Sequence, residues 1–200
     1  MQRSPLVLVH GLWDNPRLFD GLVKALGGAI PEVLIPHLPH GLGHVPIETM
    51  ASWLNSHIDE AFGRDTPIDI LGFSMGGLIS RCWIQNFGGH RRTRRFVCVG
   101  SPQQGTLTAQ LVPARWLPSI ADMKVGSPFL RQLEAEHRQQ PARLNQLACH
   151  SFYCQLDVMV VPSWRGVLPV GPRRALPVWT HPQLVLHPRA IEILVQTLLQ

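Results

Sequence analysis

The chain has no CxxC pair, only one tyrosine, and 13 acidic residues against 18 basic ones. Each shortage excludes something. The four cysteines, Cys82, Cys98, Cys149 and Cys154, lack zinc-ligand spacing. Cys149 and Cys154 are read as sharing one strand, where residues five apart face opposite sides and cannot bridge. Free thiols in a reducing compartment follow. No apolar run approaches the roughly 18 residues of a membrane span. The opening MQRSPLVLVHG holds too few apolar residues for a signal-peptide core. The expectation is a soluble, cytoplasmic protein. The shortage of acids leaves a net charge of +5, an aid in approaching lipid head groups or nucleic acid. Much of the excess sits in HRRTRR, residues 90–95, which is read as a solvated loop before a strand. No zinc knuckle or aromatic RNP pattern accompanies it, so a nucleic-acid partner is not expected.

What is present is a hydrophobic fraction of 45%, enough for one cored domain over residues 1–200. PLVLVH, EVLIP, PIDILGF, RFVCVGSP and HSFYCQLD are short apolar runs of the kind that make strands buried on both faces. Between them, PRLFDGLVKAL, PIETMASWLNSHIDEAF and MGGLISRCWIQNF carry helical spacing, and PRAIEILVQTLL closes the chain as an amphipathic helix. A further short segment is placed at residues 177–179. Strands alternating with helices predict an α/β fold, a doubly wound, mostly parallel open sheet. The rhythm breaks at residues 103–147, an insertion with scattered prolines and one expected helix, SPFLRQLEAEHRQ. In such sheets the site lies in loops at the carboxyl ends of the strands. His37, His40 and His44 cluster in HLPHGLGH, but no cysteine or carboxylate stands among them at ligand spacing, so no metal is expected.

The strongest signal is GFSMG, residues 72–76. It fits G-x-S-x-G between an apolar strand and a helix, the context a nucleophile elbow requires. Gly72 and Gly76 leave room for the tight turn, the backbone strain projects Ser74 above the sheet, and the helix N-terminus favours developing negative charge. An oxyanion needs two donors. The Met75 N–H offers one; the Leu12 N–H, in the loop after VLVHG, offers the other. Two histidines near the C-terminus, His181 and His187, are candidates for the base, and nothing in PVWTHPQLVLHP itself decides between them.

These segments, together with GSPQQGTLTA, SPFLRQL and CQLDVMVVP, resemble in sequence and order the small bacterial triacylglycerol lipases and esterases of the α/β-hydrolase fold. The resemblance implies a triad in the order Ser, acid, His. Asp157 ends a strand after the irregular insertion, where the family carries its acid; Asp122 is the rival, inside the insertion. The family's histidine is followed by leucine at +3 and by the proline of the last helix at about +7. His181 matches this through Leu184 and Pro188, although Thr180 stands where a glycine is usual. The implied chemistry is acyl transfer to water without any cofactor. Trp13, Trp116, Trp164 and Trp179, with Leu12, Leu117, Ile120 and Met123, fall in loops where they could line an acyl groove. The insertion at 103–147 is expected to act as a cap or lid. A histidine commonly follows Ser-Pro in GSPQQGT; here Gln103 does. The expected partner is an ester or acyl lipid, with transient contact to a lipid surface. An acyltransferase or thioesterase would use the same triad, and a non-catalytic scaffold binding an acyl ligand is a further alternative.

Overall fold

The computed structural model of the chain describes residues 3–113 and 115–200. Six strands form one sheet: β1 (Leu6–Val9), β2 (Val33–Leu34), β3 (Ile68–Phe73), β4 (Thr93–Val99), β5 (Ala148–Tyr153) and β6 (Arg173–Ala175). Their order is β2-β1-β3-β4-β5-β6, and every pairing is parallel. Buried runs such as ILGF in β3 suit this arrangement because helices cover both faces. Side chains alternate: Val7, Val9, Ile70, Phe96 and Cys98 face one layer, and Leu6, Leu8, Leu71, Val97 and Val99 the other. Cys149 and Cys154 also go to opposite layers, and all four thiols are free and buried.

Helix α1 (Asp20–Leu26) buries Leu22 and Leu26 on one face of the sheet, and α2 (Ile47–Phe62) buries Met50, Leu54 and Ile58 on the other. Each such side chain contributes about 1.5–3 kcal/mol. The chain therefore turns one way from β1 to β2 and the opposite way from β2 to β3. That reversal opens a crevice between the carboxyl ends of β1 and β3, where ligands bind in doubly wound sheets. Helix α3 (Met75–Asn86) leaves β3 directly and packs beside α2.

The link between β4 and β5 contains more helix than the sequence suggests: α4 (Leu107–Gln110), α5 (Pro118–Asp122), α6 (Pro128–Gln139) and α7 (Ala142–Asn145). Helix α6 is the one its sequence marks. Ser127 caps it by accepting from the Leu130 N–H at 3.1 Å, and Pro128 occupies the first turn. The short ones escape notice because they lack a full period of apolar residues. Asp122 serves the fold. Its Oδ2 accepts the Ile47 N–H at 3.0 Å and so caps α2, which begins with a proline at its N-cap.

Two strand ends differ from expectation. β5 stops at Tyr153, so Asp157 stands in a loop rather than at a strand's last residue. The last strand is Arg173–Ala175, not residues 177–179. It is an edge strand with two exposed arginines, and so carries no apolar pattern. After it come α8 (Gln183–Leu186) and α9 (Pro188–Leu198). Among the described residues no helix is long and apolar enough to cross a membrane.

Candidate active site

Ser74 occupies the turn between β3 and α3 with φ 53° and ψ −128°, a conformation that costs about 1–3 kcal/mol and persists only where the surroundings impose it. The surroundings here are glycines. A Cβ on Gly76 would stand 2.1 Å from the Val9 carbonyl oxygen, and one on Gly72 would stand 2.5 Å from the Gly77 Cα. The Ser74 N–H donates to the Val99 carbonyl at 2.8 Å, which anchors the turn to β4. Met75 opens α3, so its N–H has no intrahelical partner by geometry.

His181 comes to the same place from the opposite end of the chain. Its Nδ1–H donates to Asp157 Oδ2 at 2.7 Å; an ionised carboxylate can only accept, which fixes the tautomer. Asp157 Oδ1 accepts from the N–H groups of Met159 and Val160 at 2.8 and 3.0 Å. Three donors thus orient a carboxylate whose residue is only 5% exposed, as is His181. The imidazole packs on Phe73, with ring centroids 4.8 Å apart. Gly100, at φ 54°, makes the space: a Cβ there would meet Leu184 Cδ1 at 2.5 Å and His181 Cε1 at 3.1 Å. The other ring nitrogen, Nε2, is buried without a hydrogen-bond partner. An orphaned buried acceptor costs about 1–3 kcal/mol and points to a missing donor. Ser74 shares its cavity.

That cavity has a volume of about 490 Å³, and its lining is mainly apolar. Leu12 and Trp13 line it from the β1 loop, Ile120 and Met123 from α5 and its end, as the sequence suggests. Trp116, Leu117, Trp164 and Trp179 are not among its lining residues. Trp116 and Trp164 point outward, 57% and 54% exposed, under Arg115 and Arg165 respectively; Trp179 is 69% exposed. Leu117 is only partly buried and packs toward Gly43. A loop can be read from sequence, but not the direction its side chains take. Reading from sequence also misses Asp14, Thr106, Thr108, Val112, Met159 and Val160, which do line the cavity. For Asp14 a signal was available: a carboxylate three residues after the glycine of the β1 loop.

The loops are tied together. Thr106 and Thr108 both donate to the Met159 carbonyl, at 2.9 and 2.7 Å, and the Val161 N–H donates to Thr106 Oγ1 at 2.9 Å. Ser119 donates to the Gly43 carbonyl at 3.1 Å. The α4–α5 stretch therefore bridges the Asp157 loop and the β2–α2 loop. Gln103 is buried beside it and donates to Ser101 Oγ at 3.0 Å. His187 lies apart from the cavity lining; it is the N-cap of α9, its Nδ1 accepting the Arg189 N–H at 3.2 Å. The loop before His181 is held by Gln183 Oε1, which accepts from the Trp179 and Thr180 N–H groups at 2.9 and 3.1 Å. His10 is structural: its Nδ1–H donates to the Gly11 carbonyl at 3.0 Å, and its Nε2 accepts from Leu38.

Residues 4–147 match the family described as alpha/beta hydrolase fold. Among curated proteins the chain is similar to palmitoyl-protein thioesterase 3 of Dictyostelium discoideum, with 22% identity over 163 residues, 74% of this chain and 54% of that protein. Among solved structures it is similar to Aspergillus fumigatus lipase B, with TM-score 0.79, 16% identity, and coverage of 99% of this chain and 53% of that one. It is also similar to the mature form of Bacillus licheniformis lipase BlEst2, with TM-score 0.74, 16% identity, and coverage of 98% and 92%. The chain thus spans about half the length of the curated relative and of the fungal lipase.

Proposed function

The chain belongs to the α/β-hydrolase fold family, and from that premise we propose that it is a serine hydrolase that cleaves carboxylic esters, acyl lipids above all. The observation that carries this reading is the convergence of a strained Ser74 and a buried His181, paired with Asp157, on one mainly apolar cavity. In the first step His181 Nε2 takes the Ser74 Oγ proton as Oγ bonds to the substrate carbonyl carbon. Asp157 holds the ring and stabilises the imidazolium. The N–H groups of Leu12 and Met75 receive the oxyanion. Collapse breaks the ester C–O bond, and His181 returns its proton to the departing alcohol. Water then repeats the attack on the acyl-enzyme, releasing the acid and restoring Ser74. No step requires a cofactor.

Two further features support an acyl lipid. The cavity's lining suits a hydrocarbon chain, and among the described residues the strongly exposed large apolar side chains gather around the loops that hold it. We propose the α4–α5 stretch as its cap. Four buried, unpaired thiols fit a reducing compartment. Hydrolysis of p-nitrophenyl esters of rising chain length tests the reading. Turnover that improves with chain length and vanishes in Ser74→Ala is expected; equal rates for wild type and variant would refute it.

The similarity to a thioesterase favours a second reading, cleavage of acyl thioesters by the same steps. Matched oxygen and sulfur esters of one acid decide between them: a kcat/KM preference for the thioester beyond their difference in chemical reactivity supports the second.

A further inference from the structure

The acyl-transfer steps leave one charged side chain of the cavity unused. Asp14 is the sole carboxylate among the described lining residues. Its Oδ2 lies 2.9 Å, and Ser74 Oγ 3.3 Å, from the single point where a Cβ on Gly11 would stand. Carboxylate and nucleophile are therefore neighbours across a methyl-sized space beside the loop that offers the Leu12 N–H. The loop gives Asp14 little freedom. Trp13, before it, is held at φ 65° with its N–H 3.1 Å from His40 Nε2. Asn15, after it, accepts the Arg17 N–H at 3.0 Å and so starts the short turn over Pro16–Phe19. Burial pushes the Asp14 carboxyl up from its ordinary value, and the nearby His181 and His40 rings pull it back. A carboxylate so placed does not help an oxyanion form. Its position suits instead a contact with whatever is attached to the ester oxygen.

We propose that Asp14 sets the substrate class of this site: it admits acyl esters whose leaving group is neutral or bears hydrogen-bond donors, and turns away those with an anionic group beside the ester. The inference rests on the serine-hydrolase reading. Two negative charges sharing an apolar cavity repel far more strongly than in water, and discrimination by a misplaced like charge is the usual way to exclude a competing substrate. Neutral hydroxyl-bearing alcohols gain a charge-assisted hydrogen bond instead.

The test uses a sterically matched pair of chromogenic substrates, the hexanoyl esters of 3-carbamoyl-4-nitrophenol and 3-carboxy-4-nitrophenol, on the full chain. The wild-type ratio of kcat/KM, neutral over anionic, is expected to be on the order of 10 or more. Asp14→Asn is expected to lower that ratio about tenfold, and Asp14→Lys to reverse the preference; dividing by the same ratio for wild type removes the intrinsic reactivity of the two esters. A residue that only braced the loop would lower both rates and leave the ratio still. Raising ionic strength on the wild type supplies a reading that needs no variant, since screening shrinks the ratio. A ratio that neither the variants nor salt move overturns the inference while turnover continues. Absence of turnover of both esters, with no covalent labelling of Ser74, overturns the hydrolase reading beneath it.

Discussion

At the carboxyl end of the sheet, the loops carry Trp13, Leu42, Leu111, Val158, Trp164 and Trp179 into solvent, each more than half exposed. At the amino end the exposed side chains include Arg64, Arg91, Arg94, Arg173 and Arg174, and the apolar ones are covered. The contrast extends to the backbone. Among the described residues the non-glycine positions with positive φ are Trp13, Leu42 and Ser74, all at the carboxyl end. The amino end holds partnered charge. Arg92 pairs with Asp59 at 3.1 Å, and Arg95 donates to Asp69 at 3.2 Å and to the Leu198 carbonyl at 2.7 Å. Strain and exposed apolar surface are concentrated where the cavity is, and satisfied polar networks where it is not. One end of this fold is thus available for chemistry because the other end holds it together.

Removing a residue from each end should separate the two roles. Ser74→Ala and His181→Ala are expected to lower kcat by on the order of 10⁴-fold or more while the melting temperature holds or rises. His187→Ala, which loses only an N-cap, is expected to cost about 1 kcal/mol of stability and little rate. Equal losses for the two histidines in a kinetic comparison would erase the contrast. At the amino end, Arg95→Ala strands the buried Asp69. We expect a loss of about 3–5 kcal/mol in denaturant unfolding, with kcat of the folded fraction retained.

A smaller effect is expected from the exposed apolar surface. The double substitution Leu111→Ser and Leu156→Ser removes part of it from outside the cavity lining. Partition onto phospholipid vesicles is expected to fall by about tenfold, with hydrolysis of a soluble short-chain ester held; an unchanged partition in a sedimentation assay would show that this surface has another use. The smallest effect concerns the thiols. Burial pushes Cys98 to about 11 and Cys149 to about 12, and Cys154 to about 12 with help from the Asp157 charge. Iodoacetamide at neutral pH should leave all of them unmodified in the native protein and react after unfolding, as read by intact mass.

Much of the carboxyl end was legible in the sequence, and the reason is locality. The glycines around Ser74 announce the elbow because every clash they avoid lies within a few residues or on the adjacent strand. The apolar runs mark β1, β3 and β4 because strands buried on both faces carry no polar side. The pairing of Asp157 with His181 rests on resemblance, since 24 residues separate them and only the fold brings them to 2.7 Å. Three things were out of reach. β6 escapes because an edge strand with exposed Arg173 and Arg174 looks like a loop. Trp116, Trp164 and Trp179 do not line the groove expected of them, because composition does not say which way an indole faces. Asp14 and the threonine ties of Thr106 and Thr108 have meaning only against residues that fold beside them.

Every functional statement here depends on Ser74 being activated by His181 and Asp157 at the carboxyl end of the sheet, and covalent labelling reads that activation without a substrate. The folded chain would be treated with a fluorophosphonate and its peptides mapped by mass spectrometry. A single adduct on Ser74, strongly slowed in His181→Ala and unaffected in His187→Ala, is the expected result. No adduct, an adduct on another serine, or a Ser74 adduct formed equally fast without His181 would contradict it.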